Sequence, residues 1–193
     1  MKMSRMIMIN EKYKELLVCK TTMREASLSD VKNPSSFAVD SDIEVFKLDE
    51  REGLVNLYRR MFSEEDARKG DISAVDALFT GSDEIYFIEF KDGAVSNIKP
   101  SDIHEKILNS LLIVNDVFGL SLEYARLKAN YIVVCNIKDA EPITKEHRNM
   151  IPNKKHIPPI IKFNLKKFQG VYFKGIYTVN KHKFKKEFLD KWQ

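Results

Sequence analysis

Cysteine is scarce in this sequence, and Cys19 and Cys135 are the only two examples. They are too few and too far apart for a disulfide framework or a zinc site, and they suit a reducing compartment. The 4 histidines show no ligand spacing, and none lies beside a convincing serine or cysteine nucleophile. The sequence therefore does not support a zinc protein or a hydrolase with a catalytic triad.

Long apolar runs, glycine and proline are also in short supply. No apolar run approaches the length of about 18 residues that a membrane-spanning helix needs. The Met- and Ile-rich amino terminus has no small-residue cleavage site, so we interpret it as structured chain and not as a signal peptide. With only 7 Gly and 6 Pro, long disordered or fibrous segments are not expected. The sequence predicts a cytoplasmic protein without a membrane partner.

The hydrophobic content of 44% in 193 residues predicts one globular domain, residues 1–193, with a sizeable core. Hydrophobic periodicity predicts, from residue 43 onward, the order helix, strand, strand, helix, strand, helix, strand and helix, after a short extended piece. This order is typical of an α/β fold with a central mixed β-sheet and a helix on each face.

Caps, turns and periodicity also predict where the individual elements lie. Helices are predicted at 10–20, 49–62, 100–118, 121–128, 160–168 and after 180, and strands at 43–48, 72–79, 85–91, 131–137 and 171–179. Asp49 with Glu52, and Asp102 with Glu105, are predicted capping boxes. Residues 21–42 and 138–159 are predicted to be mostly irregular.

Two of these strands form a predicted hairpin in which charged residues interrupt an apolar stretch. Side chains alternate between faces along a strand, so Glu89 and Lys91 lie on the same face near the carboxyl end of the second strand. If the turn is centred between Ser82 and Asp83, antiparallel pairing places Asp76 opposite Glu89, with Cβ atoms about 5 Å apart. A slip of one residue would turn Asp76 to the other face.

Two carboxylates at that separation repel each other unless a cation lies between them. A hard divalent ion such as Mg²⁺ prefers carboxylate oxygens as ligands and retains waters for a substrate phosphate. A nearby lysine such as Lys91 could help to hold a metal-activated hydroxide or the charged transition state. The residues Asp76, Glu89 and Lys91 therefore indicate metal-assisted attack on a phosphodiester.

The spacing of these residues resembles the motif of the PD-(D/E)xK superfamily of restriction-endonuclease-like nucleases. Asp76 matches the first acidic position, and Glu89-Phe90-Lys91 matches the (D/E)xK part after twelve intervening residues. Val75 stands where the motif has proline, a position at which the superfamily often has other residues.

This resemblance implies a restriction-endonuclease-like three-layer fold, with a nuclease-like core at about residues 43–137. It implies that Asp76 and Glu89 ligate Mg²⁺, for which Mn²⁺ could substitute, and that Lys91 assists the attacking water. The implied activity is that of a metal-dependent nuclease, with DNA favoured over RNA as the substrate. Endonuclease or exonuclease action, sequence specificity, pairing of two copies as a homodimer, and the pathway, for instance phage defence, stay open.

Two helices flank the hairpin in sequence, and in the superfamily such helices can add residues to the site. Glu50 is the best-placed carboxylate on the first helix, and Glu52 is the second choice. The alternative is that both only favour the positive end of the helix dipole. On the second helix Lys106, and after it His104, could join the site, although a flanking surface lysine is the commoner explanation.

Charge is spread unevenly along the chain. Residues 154–191 carry 11 Lys against Glu187 and Asp190, a local net charge of +9 in a chain whose total is +4. A Lys-rich carboxyl-terminal part, about 154–193, could attract phosphate groups, and its lack of arginine predicts binding that is largely independent of base sequence. A solvated lysine-rich face is the alternative.

Three hypotheses follow from the sequence. The first is a Mg²⁺-dependent nuclease that uses Asp76, Glu89 and Lys91. The second is a catalytically inactive protein of the same fold that binds nucleic acid or another protein, since little else around the three residues is recognisable. The third is a structural hairpin in which Glu89 and Lys91 form a solvent-facing ion pair.

Overall fold

A computed structural model describes residues 8–28, 37–49, 52–62, 72–92, 94–137 and 161–193 of the chain. Glu50 and the segment 138–159, which the sequence predicts to be irregular, lie outside these residues.

A six-stranded mixed β-sheet forms the centre of the structure, and its strands lie in chain order. The strands are β1 Lys20–Thr22, β2 Glu44–Lys47, β3 Ala77–Thr80, β4 Ile85–Lys91, β5 Ala129–Cys135 and β6 Gly175–Val179. Strands β1 to β4 pair antiparallel, whereas β4, β5 and β6 pair parallel. The predicted mixed sheet is confirmed.

Helices cover both faces of this sheet. They are α1 Met23–Ala26, α2 Leu54–Phe62, α3 Pro100–Val117, α4 Leu122–Lys128 and α5, which comprises Lys181–Phe184, a π-helical turn Lys185–Leu189 and Asp190–Trp192; 3₁₀ turns occur at Glu11–Cys19, Val95–Asn97 and Leu165–Phe168. One hydrophobic core joins β4 to α2, α3 and α4 through residues such as Phe87 and Ile107. The other joins the opposite face to α1 and α5 through residues such as Ile88 and Phe184. The prediction of an α/β sheet flanked by helices is confirmed.

The β3–β4 hairpin has the register that the sequence predicts. Ala77 pairs with Ile88 and Thr80 with Ile85, which centres the turn between Ser82 and Asp83. The first strand is shorter than the predicted 72–79, because the preceding backbone bonds to helix side chains. The N–H of Ile72 donates to Asn56 of α2 at 2.9 Å, and the carbonyl of Ser73 accepts from Asn109 of α3 at 3.0 Å.

Helix α2 begins at Leu54, so the predicted start and capping box at Asp49 are wrong. The reason is a tight turn before the helix, in which a Cβ on Gly53 would lie 1.8 Å from the carbonyl oxygen of Asp49. Only glycine permits this close approach of two backbone segments. The Asp49 side chain accepts a hydrogen bond of 2.9 Å from Lys106 of α3.

Other boundaries differ by a few residues. The predicted capping box of α3 at Asp102 is wrong, because the helix begins at Pro100 and Ser101 Oγ donates to Asp102 Oδ1 at 3.0 Å. Within the supposedly irregular 21–42, Thr22 and Glu25 form a capping box for α1. The helix predicted at 160–168 is the 3₁₀ turn Leu165–Phe168, and the strand predicted at 171–179 is β6.

The remaining described elements of the carboxyl-terminal half lie within about two residues of their predicted positions. All seven residues of β5 are buried, and α3 with α4 forms the connection between the parallel strands β4 and β5. Asn180 caps α5 by accepting from the Lys183 N–H at 2.8 Å. The helix predicted after 180 is α5, in which Phe184, Phe188 and Trp192 pack together on the sheet.

No single helix in the described parts of the chain is long and apolar enough to cross a membrane, and the α3–α4 pair, which together passes on length and composition, is bent by 111°.

Candidate functional site

The carboxyl end of β4 brings Glu89 and Lys91 together. Lys91 Nζ lies 2.6 Å from Glu89 Oε1. Glu89 is fully buried, whereas the Lys91 side chain is 28% exposed. The hypothesis of a solvent-facing ion pair is therefore wrong for Glu89. A carboxylate is rarely buried unless a positive charge lies beside it, and Lys91 supplies such a charge to Glu89.

Asp76 faces this pair from the adjoining strand end. It directly precedes β3, and the hairpin register continued by one residue places it opposite Glu89. Its Oδ2 accepts a hydrogen bond of 2.5 Å from the N–H of Phe90, and its carbonyl accepts from the N–H of Leu48 at 3.1 Å. The side chain is 22% exposed. Backbone contacts on both sides thus hold the Asp76 carboxyl beside Glu89.

The pKa of Asp76 is raised to about 8. Burial is the main cause, and the negative charge of Glu89 is the next. Lys106 and the Phe90 N–H act in the opposite direction but do not cancel these effects. Asp76 therefore retains a proton near neutral pH unless a further cation joins the site.

Lys106 reaches the same carboxylates from α3, on the face of the sheet that α3 covers. Its Nζ lies 3.1 Å from Glu89 Oε1, 3.6 Å from Asp76 Oδ1 and 2.9 Å from Asp49 Oδ2. Burial lowers the pKa of Lys106, but the charges of Glu89, Asp76 and Asp49 outweigh it and raise the pKa above its ordinary value. The structure brings Lys106 to the predicted site.

Asp49 is the residue of this site that the sequence analysis misses. The sequence pattern assigns it to a helix cap, whereas it follows β2 and contacts Lys106. The one signal that could have identified it is Gly53, which marks a tight turn. The second-choice carboxylate, Glu52, lies 3.5 Å from Arg60 of α2, and His104 contacts the carbonyl of Phe163 at 3.0 Å. The structure places neither among the contacts of Lys106.

Tyr131 of β5 is a second residue that the sequence does not indicate. It is fully buried on the face that carries Phe87, its pairing partner on β4. Among the described residues its hydroxyl has no hydrogen-bond partner. Burial and then the charges of Glu89 and Asp76 raise the pKa of Tyr131 well above its usual value. The phenol therefore stays neutral beside the carboxylates.

The donor set fits a hard divalent cation. Asp76 and Glu89 present carboxylate oxygens towards one region, and burial together with the negative charge of Glu89 raises the pKa of Asp76 although Lys106 opposes the shift. Mg²⁺ in enzymes is commonly held by one or two carboxylates together with waters and substrate oxygens. A group of three or more His, Cys, Asp or Glu side chains arranged to hold a metal does not occur among the residues that the structure describes.

Ser110 of α3 fixes the backbone at Val75, the residue that precedes Asp76. Its Oγ accepts a buried hydrogen bond of 2.9 Å from the N–H of Val75. We expect Ser110→Ala to lower the free energy of unfolding by about 1–3 kcal/mol, because the buried N–H loses its acceptor. Denaturant unfolding measures this change. The exposed Ser101→Ala on the same helix is the control, and an equal loss in both variants would contradict the prediction.

Two lysines of the carboxyl-terminal part lie near the same end of the sheet. Lys181 Nζ is 2.9 Å from Oδ1 of Asp92, the residue after β4. Cys135 of β5 is the strand partner of Lys91. Burial raises the pKa of the Cys135 thiol, and the positive charge of Lys162 opposes this shift. Lys154 and Lys155 lie outside the described residues.

The structure thus brings together Asp76, Glu89, Lys91 and Lys106 of the predicted site residues, while Glu50 lies outside the described residues. Comparison of the chain with protein-family models, with curated proteins and with solved structures found no match.

Proposed function

We propose that this protein is a divalent-metal-dependent nuclease that hydrolyses phosphodiester bonds of DNA, and that its sheet is a form of the restriction-endonuclease-like fold. The observation that carries the proposal is the arrangement at the end of β4. Asp76 lies opposite Glu89 in the hairpin register, and Lys91 Nζ lies 2.6 Å from Glu89. These are the residues and the strand positions that the resemblance to PD-(D/E)xK nucleases implies.

Asp76 and Glu89 are the residues that would hold Mg²⁺ or Mn²⁺. The bound ion would supply Lewis-acid chemistry and would neutralise charge that develops on the phosphate. Because Asp76 carries a proton near neutral pH, the carboxyl must release this proton before it can act as a ligand. Loading of the site is therefore expected to be favoured as the pH rises towards 8.

Lys91 has the position of a group that stabilises the transition state. Its ammonium is partly exposed and can donate hydrogen bonds to a phosphate oxygen, while Glu89 fixes it from the buried side. A preorganised donor directed at developing negative charge lowers the barrier of phosphoryl chemistry. In this role the Lys91 ammonium stabilises the negative charge of the transition state, and the buried carboxylate of Glu89 keeps the ammonium in place.

Lysines beyond the site suit a nucleic-acid backbone as the substrate. Lys162 and Lys181 lie near the end of the sheet at which Lys91 emerges. Lysine contacts to phosphate depend little on base sequence and weaken with salt. The proposed enzyme is accordingly expected to cut with little base preference and to bind less tightly at high ionic strength.

The second candidate function is an inactive protein of this fold that binds nucleic acid or a protein. The observation that favours it is the position of Lys106, which already contacts all three carboxylates, together with the lack of a three-ligand metal group among the described residues. A site that an internal lysine neutralises can serve as a rigid structural element without a metal.

An assay with several substrates and ions separates the two functions. Purified protein is incubated with plasmid, linear and single-stranded DNA and with RNA, in Mg²⁺, Mn²⁺ or EDTA. We expect cutting of DNA in Mg²⁺ or Mn²⁺, no cutting in EDTA, and loss of cutting in Asp76→Ala. Tight DNA binding without cleavage in any ion would favour the second function, and cutting that persists in EDTA would contradict the first.

A further inference from the structure

The ammonium of Lys106 contacts the same two carboxyl groups that would bind the metal ion. Its Nζ is 3.1 Å from Glu89 Oε1 and 3.6 Å from Asp76 Oδ1, the two carboxyls that would bind the ion. Its side chain is only 12% exposed, and a contact of 2.9 Å with Asp49 holds it from a third side. One ammonium therefore lies within 4 Å of carboxylate oxygens from three different chain segments.

The same oxygens cannot serve the lysine and a divalent ion equally well. Mg²⁺ binds carboxylate oxygens at about 2.0–2.1 Å, well inside the distances at which Lys106 contacts them. Two cations within contact distance of the same oxygens repel each other strongly in a buried environment. Lys91 also contacts Glu89, but its side chain is more exposed, at 28% against 12% for Lys106.

We infer that Lys106 is a resident counter-ion of the metal-free protein, which competes with the divalent metal for Asp76 and Glu89 and is displaced when the metal binds. This inference rests on the proposed function and adds a regulation of the same site. Asp49 gives the displaced ammonium a place to remain, since it is partly exposed and contacts Lys106 through a separate oxygen. Metal binding is thereby coupled to a movement of the Lys106 ammonium away from Asp76 and Glu89.

Lys106→Met tests the competition, because methionine keeps an unbranched buried side chain and removes the charge. In a calorimetric titration with Mn²⁺ we expect this variant to bind about tenfold more tightly than the wild type, the size of an ordinary coupling between two ligands. In EDTA its Tm should fall below that of the wild type, and Mn²⁺ should raise its Tm more. The exposed Lys99→Met should match the wild type, and Lys91→Met should show a smaller gain in affinity.

A measurement on the wild-type protein covers the case in which Lys106→Met does not fold. Amines are acetylated with a water-soluble acetylating reagent with and without Mn²⁺, and modification is read by peptide mass spectrometry. We expect Mn²⁺ to increase acetylation of Lys106 severalfold and to leave that of Lys99 unchanged. Mn²⁺ binding with unchanged Lys106 acetylation, or with no gain in affinity in folded Lys106→Met, would overturn the inference alone. No Mn²⁺ binding in either protein would overturn both the inference and the proposed metal dependence.

Discussion

Replacement of Lys91 by methionine is expected to reduce metal-dependent DNA cleavage by about 10²- to 10³-fold, the usual cost of removing one preorganised donor from a transition state. The fold should persist, because Lys91 is the last residue of β4, its side chain is partly exposed, and Glu89 keeps its contact with Lys106. Initial rates of plasmid nicking under excess enzyme measure the first effect. Thermal unfolding in EDTA measures the second.

Two further variants make this result specific to the position of the charge. Lys99→Met removes an exposed lysine just before α3, and it should cut at the wild-type rate. Lys91→Arg retains a cation with a different shape, and we expect it to recover part of the lost rate. Folded Lys91→Met that cuts as fast as the wild type would refute the role of Lys91.

The hairpin shows how far local sequence rules determine this fold. The bounds of β4 and the pairing of Ala77 with Ile88 agree with the prediction, because both depend on side-chain alternation and on one short turn. The buried strand β5 and the amphipathic helices α3 and α5 also follow from local patterns. In these elements the local sequence preference and the tertiary packing favour the same structure.

The errors occur where contacts between distant segments decide the local structure. The segment before β3 is not a strand, because Asn56, Asn109 and Ser110 supply hydrogen bonds that a partner strand would otherwise provide. Helix α2 begins late, because Gly53 allows a close approach to the backbone of Asp49. Neither effect is visible in the hydrophobic pattern, since the first depends on polar side chains and the second on a close backbone approach, and both arise only in the folded chain.

The candidate site divides in the same way. Asp76, Glu89 and Lys91 could be grouped from the sequence, because a hairpin register relates them directly. The contact of Lys106 with them could be proposed but not determined, since it depends on how α3 lies across the sheet. Asp49 could not be predicted, because it enters the site through a turn that the pattern assigns to a helix.

The charges of the site have opposite consequences for stability and for activity. Asp49, Asp76 and Glu89 face Lys106, and Lys91 adds a second positive charge. If all are ionised, the carboxylates exceed the ammonium groups by one. The excess is borne by Asp76, whose pKa is raised by burial and by Glu89. A site that is ready for a divalent cation is thus a source of instability in its absence.

The pH dependence of this instability follows from the raised pKa of Asp76. In the unfolded chain an aspartate loses its proton near pH 3.8, whereas Asp76 in the folded protein keeps it up to about pH 8. The folded state therefore binds more protons between these values, and its stability relative to a variant without the carboxyl falls as the pH rises. The full cost is present above about pH 8 and is absent below about pH 4.

Asp76→Asn is therefore expected to be more stable than the wild type in metal-free buffer at pH 9 and to have almost the same stability at pH 4. Each unit of pKa shift corresponds to about 1.4 kcal/mol, so we expect a gain at pH 9 of at least about 2 kcal/mol, or about 4–8 °C in Tm. The asparagine oxygen can still accept the hydrogen bond from Phe90. Thermal unfolding in EDTA between pH 4 and pH 9 measures the effect, with the exposed Asp42→Asn as the matched control.

The same variant should lose metal-dependent cleavage at every pH, because a neutral amide is a poorer ligand than a carboxylate for a hard cation and carries no charge to offset it. A gain in stability together with a loss of cleavage would tie both effects to the one carboxyl. A difference in Tm that does not change with pH would contradict the raised pKa, because only a titrating group produces a pH-dependent difference. Cleavage that persists in the stabilised variant would instead show that Asp76 is not a required metal ligand, although its carboxyl destabilises the fold at high pH.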